Sequence, residues 1–299
     1  LKEDRGVGGD GAVLAWALFL RLDYFAPGRS LWLDEAMLGV NIQRQSLLGL
    51  VQPLLYDQAA PLGFLLLQWL IHHLLGGSDD LLRVVPLLAG LALLPMVFLL
   101  ARQDGSRPFA WLALALVALA PEHVRYSSEL KQYSLDALVA AYLMWYFGEA
   151  LKQPAESRAR TRLALSGALA EGVFHSSVFV LAGLGGAVVS LHWRELRAPS
   201  FLRSWGGVAT AWAISFAVLY LLHLRHVAAN PSLIDFWRRS FAPLPPWSHW
   251  GWSRAGLSGV LNHLFAMHAG VLPSVLLLLG TASLWVRRRP LALAMVLTL

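Results

Sequence analysis

Hydrophobic positions along this chain gather in long uninterrupted runs, with polar residues confined to the short stretches between them. Apolar segments occupy residues 11 to 27, 83 to 101, 108 to 121, 134 to 150, 163 to 175, 176 to 192, 205 to 224 and 259 to 286, and another begins at 290. A helix needs roughly 20 apolar residues to cross the hydrocarbon core of a bilayer. The pattern therefore predicts an all-α, polytopic helical membrane protein with about eight complete spans plus a truncated one. Arg21 and Asp23 follow the apolar core of the first run, and no small-residue cleavage site is evident, so this run reads as a retained helix rather than a signal peptide. Leu1 in place of Met, and an apolar run that breaks off at Leu299, suggest part of a longer protein.

The run from Pro61 to Leu75 is apolar enough to span, and the charges of the loops argue against it. If it lies in the membrane interface, the N-terminal tail and the loops at 102 to 107, 151 to 162, 193 to 204 and 287 to 289 all fall on the cytoplasmic side. These short segments hold more than half of the 24 basic residues, as the positive-inside rule expects. The first external loop then extends over residues 28–82 and carries juxtamembrane helices. One of them, residues 33 to 48, sets Leu33, Met37, Val40, Leu47 and Leu48 among charged and amide residues, and Trp32 and Trp69 suit the interface. A first module, 1–192, is followed by further spans over 193–299 with an external loop at 225–258. The expected location is the plasma (inner) membrane, with the lipid bilayer itself as a partner.

Composition agrees. Apolar residues make up 57% of the 299 and charged ones 14%, against about a quarter charged in a soluble domain. A soluble enzyme, a disordered tail and a disulfide module are thereby disfavoured. The net charge of +6 is accounted for by the basic loops and implies no nucleic acid. Cysteine is absent, and no HExxH, Walker A loop, GxSxG elbow or GxGxxG occurs.

Three polar clusters fall on the external side. In the first, Asp34 and Glu35 are adjacent carboxylates ahead of an amphipathic helix. They can abstract a proton or ligate a divalent cation, or merely cap the helix and favour its first turn. In the second, Asp57 and Gln58 precede Pro61, either to hydrogen-bond a polar substrate or to start a helix with proline at its first position. The third runs from Arg125 to Asp136. Arg125 and Lys131 can hold a phosphate, Tyr126 and Tyr133 can stack on a sugar, and Glu129 lies between them. Glu129 and Lys131 can equally be solvated, whereas Asp136, inside an apolar helix, needs a partner on either reading. His175, at an external turn beside serines, is a weaker candidate.

The order of WLDEA at 32 to 36, QAAPLGFLLLQWL at 58 to 70, the apolar run 81 to 102 and RYSSELKQYSLDAL at 125 to 138 resembles the GT-C superfamily of membrane glycosyltransferases. The branch it is most similar to is the bacterial one related to the protein-mannosyltransferase and aminoarabinose-transferase families. The resemblance covers roughly residues 10 to 180. It implies Asp34 as the base that activates the acceptor, with Glu35 beside it in a metal or hydrogen-bonding role. It also implies Asp57, Gln58, Arg125, Tyr126, Glu129, Lys131, Tyr133, Asp136 and His175 as substrate-binding candidates. The implied donor is a sugar on a polyprenyl phosphate, with a divalent metal ion as a possible cofactor. The acceptor would be an external glycan, lipid or protein. The family often has Lys-Pro-Pro or His-Pro-Pro where this chain has Gln58-Ala59-Ala60-Pro61, which removes a cation for the donor phosphate. The same basic and aromatic residues would also suit a transporter or flippase of a lipid-linked glycan, although no inverted repeat is visible. An inactive scaffold is a third reading.

Overall fold

The computed structural model describes residues 7–26, 28–103, 105–152, 157–241, 243, 245–265, 285 and 289–298. It is all-helical, with 80% of residues in helix and no strands among those described. The elements are α1 (Val7–Phe25), α2 (Leu33–Arg44), α3 (Leu62–Leu75), α4 (Asp79–Leu82), α5 (Val84–Arg102), α6 (Arg107–Leu119), α7 (Pro121–Tyr126), α8 (Tyr133–Lys152), α9 (Ser157–Val173) and α10 (Ser177–Leu191). They continue with α11 (Pro199–Leu219), a π-helical turn at Tyr220–Leu224, α12 (Arg225–Ala228), α13 (Pro231–Trp237), α14 (Trp250–Phe265) and α15 (Arg289–Thr298).

Two of the described helical stretches are long and apolar enough to cross a membrane, Asp79–Arg102 and Pro199–Ala228. Leu62–Leu75, Arg107–Leu119 and Ser177–Leu191 are apolar but shorter. At 1.5 Å per residue, α6 is only about 20 Å long, less than the roughly 30 Å hydrocarbon core. The span expected at 259 to 286 falls largely outside the described residues.

α5 is the central post. It packs against α6 on one flank and α8 on the other, α8 in turn against α9, and α9 against α11. α10 packs against α15, so the helices after residue 192 lie on those before it. Leu143, Phe147, Leu163, Leu181 and Leu184 form the largest apolar core. A second core joins the first loop to this bundle through Leu38 and Ile42 of α2, Phe64 and Leu65 of α3, Leu82 and Leu130. The expected amphipathic helix is thus α2, but it ends at Arg44. Its Leu38 and Ile42 turn into this core, while Leu33, Leu47 and Leu48 are exposed.

Two glycines allow close approaches that set the site. A Cβ on Gly90 of α5 would stand 2.5 Å from the Ser127 Cβ, so only glycine lets the 127–131 segment lie against the post. A Cβ on Gly63 would fall 2.8 Å from the Gly172 carbonyl oxygen, so α3 begins in direct contact with the end of α9. At the far end of α5, Gln103 donates to Glu149 Oε1 (2.7 Å) and to the Trp145 carbonyl (2.9 Å), clamping α5 to α8. The buried Arg21 of α1 donates to the Val117 and Ala118 carbonyls, which the end of α6 leaves without helical partners.

Candidate functional site

At the opposite end of α5 from that clamp, the first loop folds around one cation. Arg83, in the short break between α4 and α5, makes a two-pronged ion pair with Glu35, Nε to Oε1 at 3.0 Å and Nη2 to Oε2 at 2.7 Å. Its remaining N–H groups reach the carbonyls of Arg29 and Ser30. Glu35 also accepts the Leu130 N–H (2.5 Å) and the Trp32 N–H (3.2 Å) at the start of its own helix. A single buried carboxylate therefore joins three sequence-distant pieces: the start of α2, the start of α5 and the 127–131 segment. Pairing of this kind offsets the cost of burying both charges.

Of the two roles expected for Glu35, metal ligation or hydrogen bonding, this arrangement fits the second and not the first. Only 1% exposed, with both oxygens engaged by protein donors, it offers no open lone pair to a metal ion or to a proton in transfer. No group of three His, Asp or Glu side chains able to hold a metal occurs among the described residues. The Asp34 and Glu35 carboxylates do not fit a shared divalent cation, because each already has its own protein partners.

Asp34 is the outward member of the pair. It sits inside the first turn of α2 rather than at its cap, and its side chain remains 37% exposed. Lys131, itself buried, places Nζ 2.6 Å from Asp34 Oδ2. Gln58 Nε2 donates to Asp34 Oδ1 at 3.1 Å, and Lys131 Nζ donates to Gln58 Oε1 at 3.4 Å. Residues from all three polar clusters close a triangle in which every side is a hydrogen bond or an ion pair.

The local backbone explains how Gln58 arrives there. Tyr56 and Asp57 have φ of 61° and 51°, a left-handed conformation that costs a non-glycine residue on the order of 1 kcal/mol or more. The strained turn ends at Gln58, and α3 starts only at Leu62, with Pro61 at the cap rather than the first helical position. Asp57 points away from the triangle and accepts from Asn230 Nδ2 at 2.9 Å. Asn230 meanwhile caps α13 through its Oδ1. Asp57 thus ties the first loop to the segment after α12 instead of joining Asp34.

The rest of the third cluster forms an adjoining wall. Arg125 pairs with Glu122 (3.4 Å) and Glu129 (3.3 Å) and lies 4.6 Å from the centre of the Tyr126 ring. Tyr126 meets Tyr133 edge to face at 4.7 Å. Burial works against the Arg125 charge, but Glu129, Tyr126 and Glu122 outweigh it and raise its pKa. Burial also pushes Glu129 above the usual carboxylate range; Arg125 opposes this and Glu35 adds to it. Arg125 and Lys131 therefore have separate carboxylate partners and do not form one phosphate clamp. Asp136 lies one turn into α8 with its Oδ1 buried and unpartnered, so the partner expected for it is not found among the described residues.

His175 lies between α9 and α10, its ring 6.1 Å from that of His223. His223, in the π-helical turn, has Nε2 3.1 Å from the Ala60 carbonyl. The histidines therefore abut the approach to α3, two residues beyond Gln58. Arg83, His223 and Asn230 were not singled out from sequence. The available signal was strongest for Arg83, a lone cation opening an apolar helix, which must find a partner.

No protein-family model matches this chain, and comparison with curated proteins and with solved structures yields no significant match to either.

Proposed function

We propose that this chain is a multi-pass membrane glycosyltransferase that moves a sugar from a polyprenyl phosphate to an acceptor, with inversion. The observation that carries the reading is the Asp34, Gln58 and Lys131 triangle: a part-exposed carboxylate aimed by a buried lysine and a glutamine amide. In this reading Asp34 takes the proton of an acceptor hydroxyl, and the acceptor oxygen attacks the sugar's anomeric carbon. The bond from that carbon to the phosphate oxygen breaks, and the polyprenyl phosphate leaves with the electron pair. Lys131 stands where it can exchange part of its pairing with Asp34 for the developing phosphate charge. Glu35 and Arg83 act by position, keeping Asp34 and Lys131 in register. Tyr126 and Tyr133 offer the aromatic surface for a sugar ring.

The membrane part of the reading extends beyond the two long apolar helices. It takes α1, α6, α8, α9 and α10 as further spans and the unpaired apolar side chains on their outer faces as lipid-facing. Phe109, Leu112 and Leu116 of α6, Leu165 and Leu169 of α9, and Phe179 and Val189 of α10 are all exposed. An apolar surface that extensive is unusual for a water-soluble monomer.

The test uses purified full chain in nanodiscs with a panel of radiolabelled polyprenyl-phosphate sugars and a panel of acceptor hydroxyl compounds. Transfer by the wild type, with loss of about 100-fold or more in Asp34→Asn at equal expression, is the expected result. Unaltered transfer by Asp34→Asn would remove it as the base. The transporter reading has the same charged and aromatic groups in its favour. Movement of an intact lipid-linked glycan across vesicles, without transfer of its sugar, would put that reading ahead.

A further inference from the structure

A concavity that the triangle does not use lies along the seam of α8 and α9. It is a groove of about 570 Å³ bounded by Tyr142 and Tyr146 of α8 and by Arg162, Leu165, Leu169 and Val173 of α9. Its floor is helix packing, and its rim is exposed hydrocarbon, with Leu165 and Leu169 60% and 73% exposed. The polar groups are all at one end. Tyr142 and Tyr146 meet edge to face at 4.7 Å and line the groove together with Arg162. Arg162 is exposed and has no carboxylate partner among the described residues.

From Arg162 to Val173 the groove follows eleven helical residues, about 16 Å at the helical rise. That is half of a roughly 30 Å hydrocarbon core, the depth of one leaflet. Dimension and charge together describe an amphiphile with one anionic head at the Arg162 end and a chain one leaflet long. The Val173 end stops beside Gly63, where α3 begins.

We infer that the α8 and α9 groove binds an anionic phospholipid, its phosphate at Arg162 and the two tyrosines and one acyl chain along Leu165 and Leu169. The inference rests on the membrane reading given above, though not on glycosyl transfer. The lipid would fill the seam between α8, which begins beside the triangle, and α9, which ends against α3.

The experiment is native mass spectrometry of the purified full chain in mild detergent, titrated with dioleoylphosphatidylglycerol or dioleoylphosphatidylcholine. The wild type should retain phosphatidylglycerol at concentrations about fivefold lower than phosphatidylcholine, the preference one membrane-proximal arginine supplies. Arg162→Gln, a change at an exposed side chain, should reduce that preference to within a factor of about two. Leu169→Trp should lower retention of both lipids by filling the groove. Equal retention of the two lipids by the wild type would overturn the inference, as would an unaltered preference in Arg162→Gln. Recovery of a polyprenyl phosphate in place of phospholipid would also overturn it. A chain that purifies without detergent would overturn the membrane reading itself, whereas loss of sugar transfer alone leaves the lipid result intact.

Discussion

Replacing Arg83 by Met is the sharpest test of how the site is assembled. The substitution leaves Glu35 with two N–H donors and no cation, at a position 1% exposed. Breaking one partner out of a buried, hydrogen-bonded ion pair costs about 3–5 kcal/mol, because the remaining charge stays buried without compensation. At roughly 2–4 °C per kcal/mol for a chain of this size class, the unfolding midpoint in detergent should fall by on the order of 10 °C. The Arg29 and Ser30 carbonyls lose their donors in the same step, so the loop ahead of α2 should loosen as well. Glu35→Gln alone should also destabilise, since Arg83 would then be the stranded charge. The double variant Glu35→Gln with Arg83→Met should recover much of the loss, because neither charge remains. The assay is thermal unfolding of wild type, both singles and the double, read as a double-mutant cycle. Strictly additive effects, or a cost below about 1 kcal/mol for Arg83→Met, would refute the claim that this pair holds the first loop to the helices.

Other expectations concern the neighbouring groups. The raised pKa of Glu129 means that the folded chain binds its proton more tightly than the unfolded chain. The stability this contributes is present at acid pH and is lost as pH rises from the ordinary carboxylate range through the raised one. Unfolding midpoints followed upward from pH 4 should therefore decline less steeply in Glu129→Gln than in the wild type; identical slopes would show that Glu129 does not titrate differently on folding. Gly90→Val should displace the 127–131 segment and abolish transfer while costing about 1–3 kcal/mol by overpacking, and an unchanged midpoint with full transfer would contradict the close approach to Ser127. Because the natural chain has no cysteine, Asp57→Cys with Asn230→Cys should be joined efficiently by a short bis-maleimide; failure to cross-link would mean that the two loops are not held together.

Run length and composition were sufficient for the all-helical architecture, since uninterrupted apolar runs of this length exceed ordinary strands and read as helices. They placed helix boundaries to within a few residues for α5, α6, α8 and α10, where a serine, proline or polar loop interrupts each apolar run. The clusters around Asp34, Gln58 and Lys131 were also visible one by one, as polar residues grouped beside apolar helices. Their meeting in one triangle was not, because the contacts join residues 24 and 73 positions apart and no local pattern encodes such separations. Division of labour between Asp34 and Glu35 depended wholly on packing. In sequence they are equivalent adjacent acids; in the helix, successive residues are turned about a hundred degrees apart. That rotation carries Glu35 inward to Arg83 and leaves Asp34 facing the open side with Lys131. Asp57 was separated from Gln58 in the same way, by a left-handed turn that no residue type at those positions announces. Sequence by itself determined which groups are apolar and where polar chemistry is concentrated, because these follow from the cost of leaving side chains in the wrong solvent. Tertiary structure decided which charges meet, because an ion pair depends on the direction and distance of side chains that only the packed helices set.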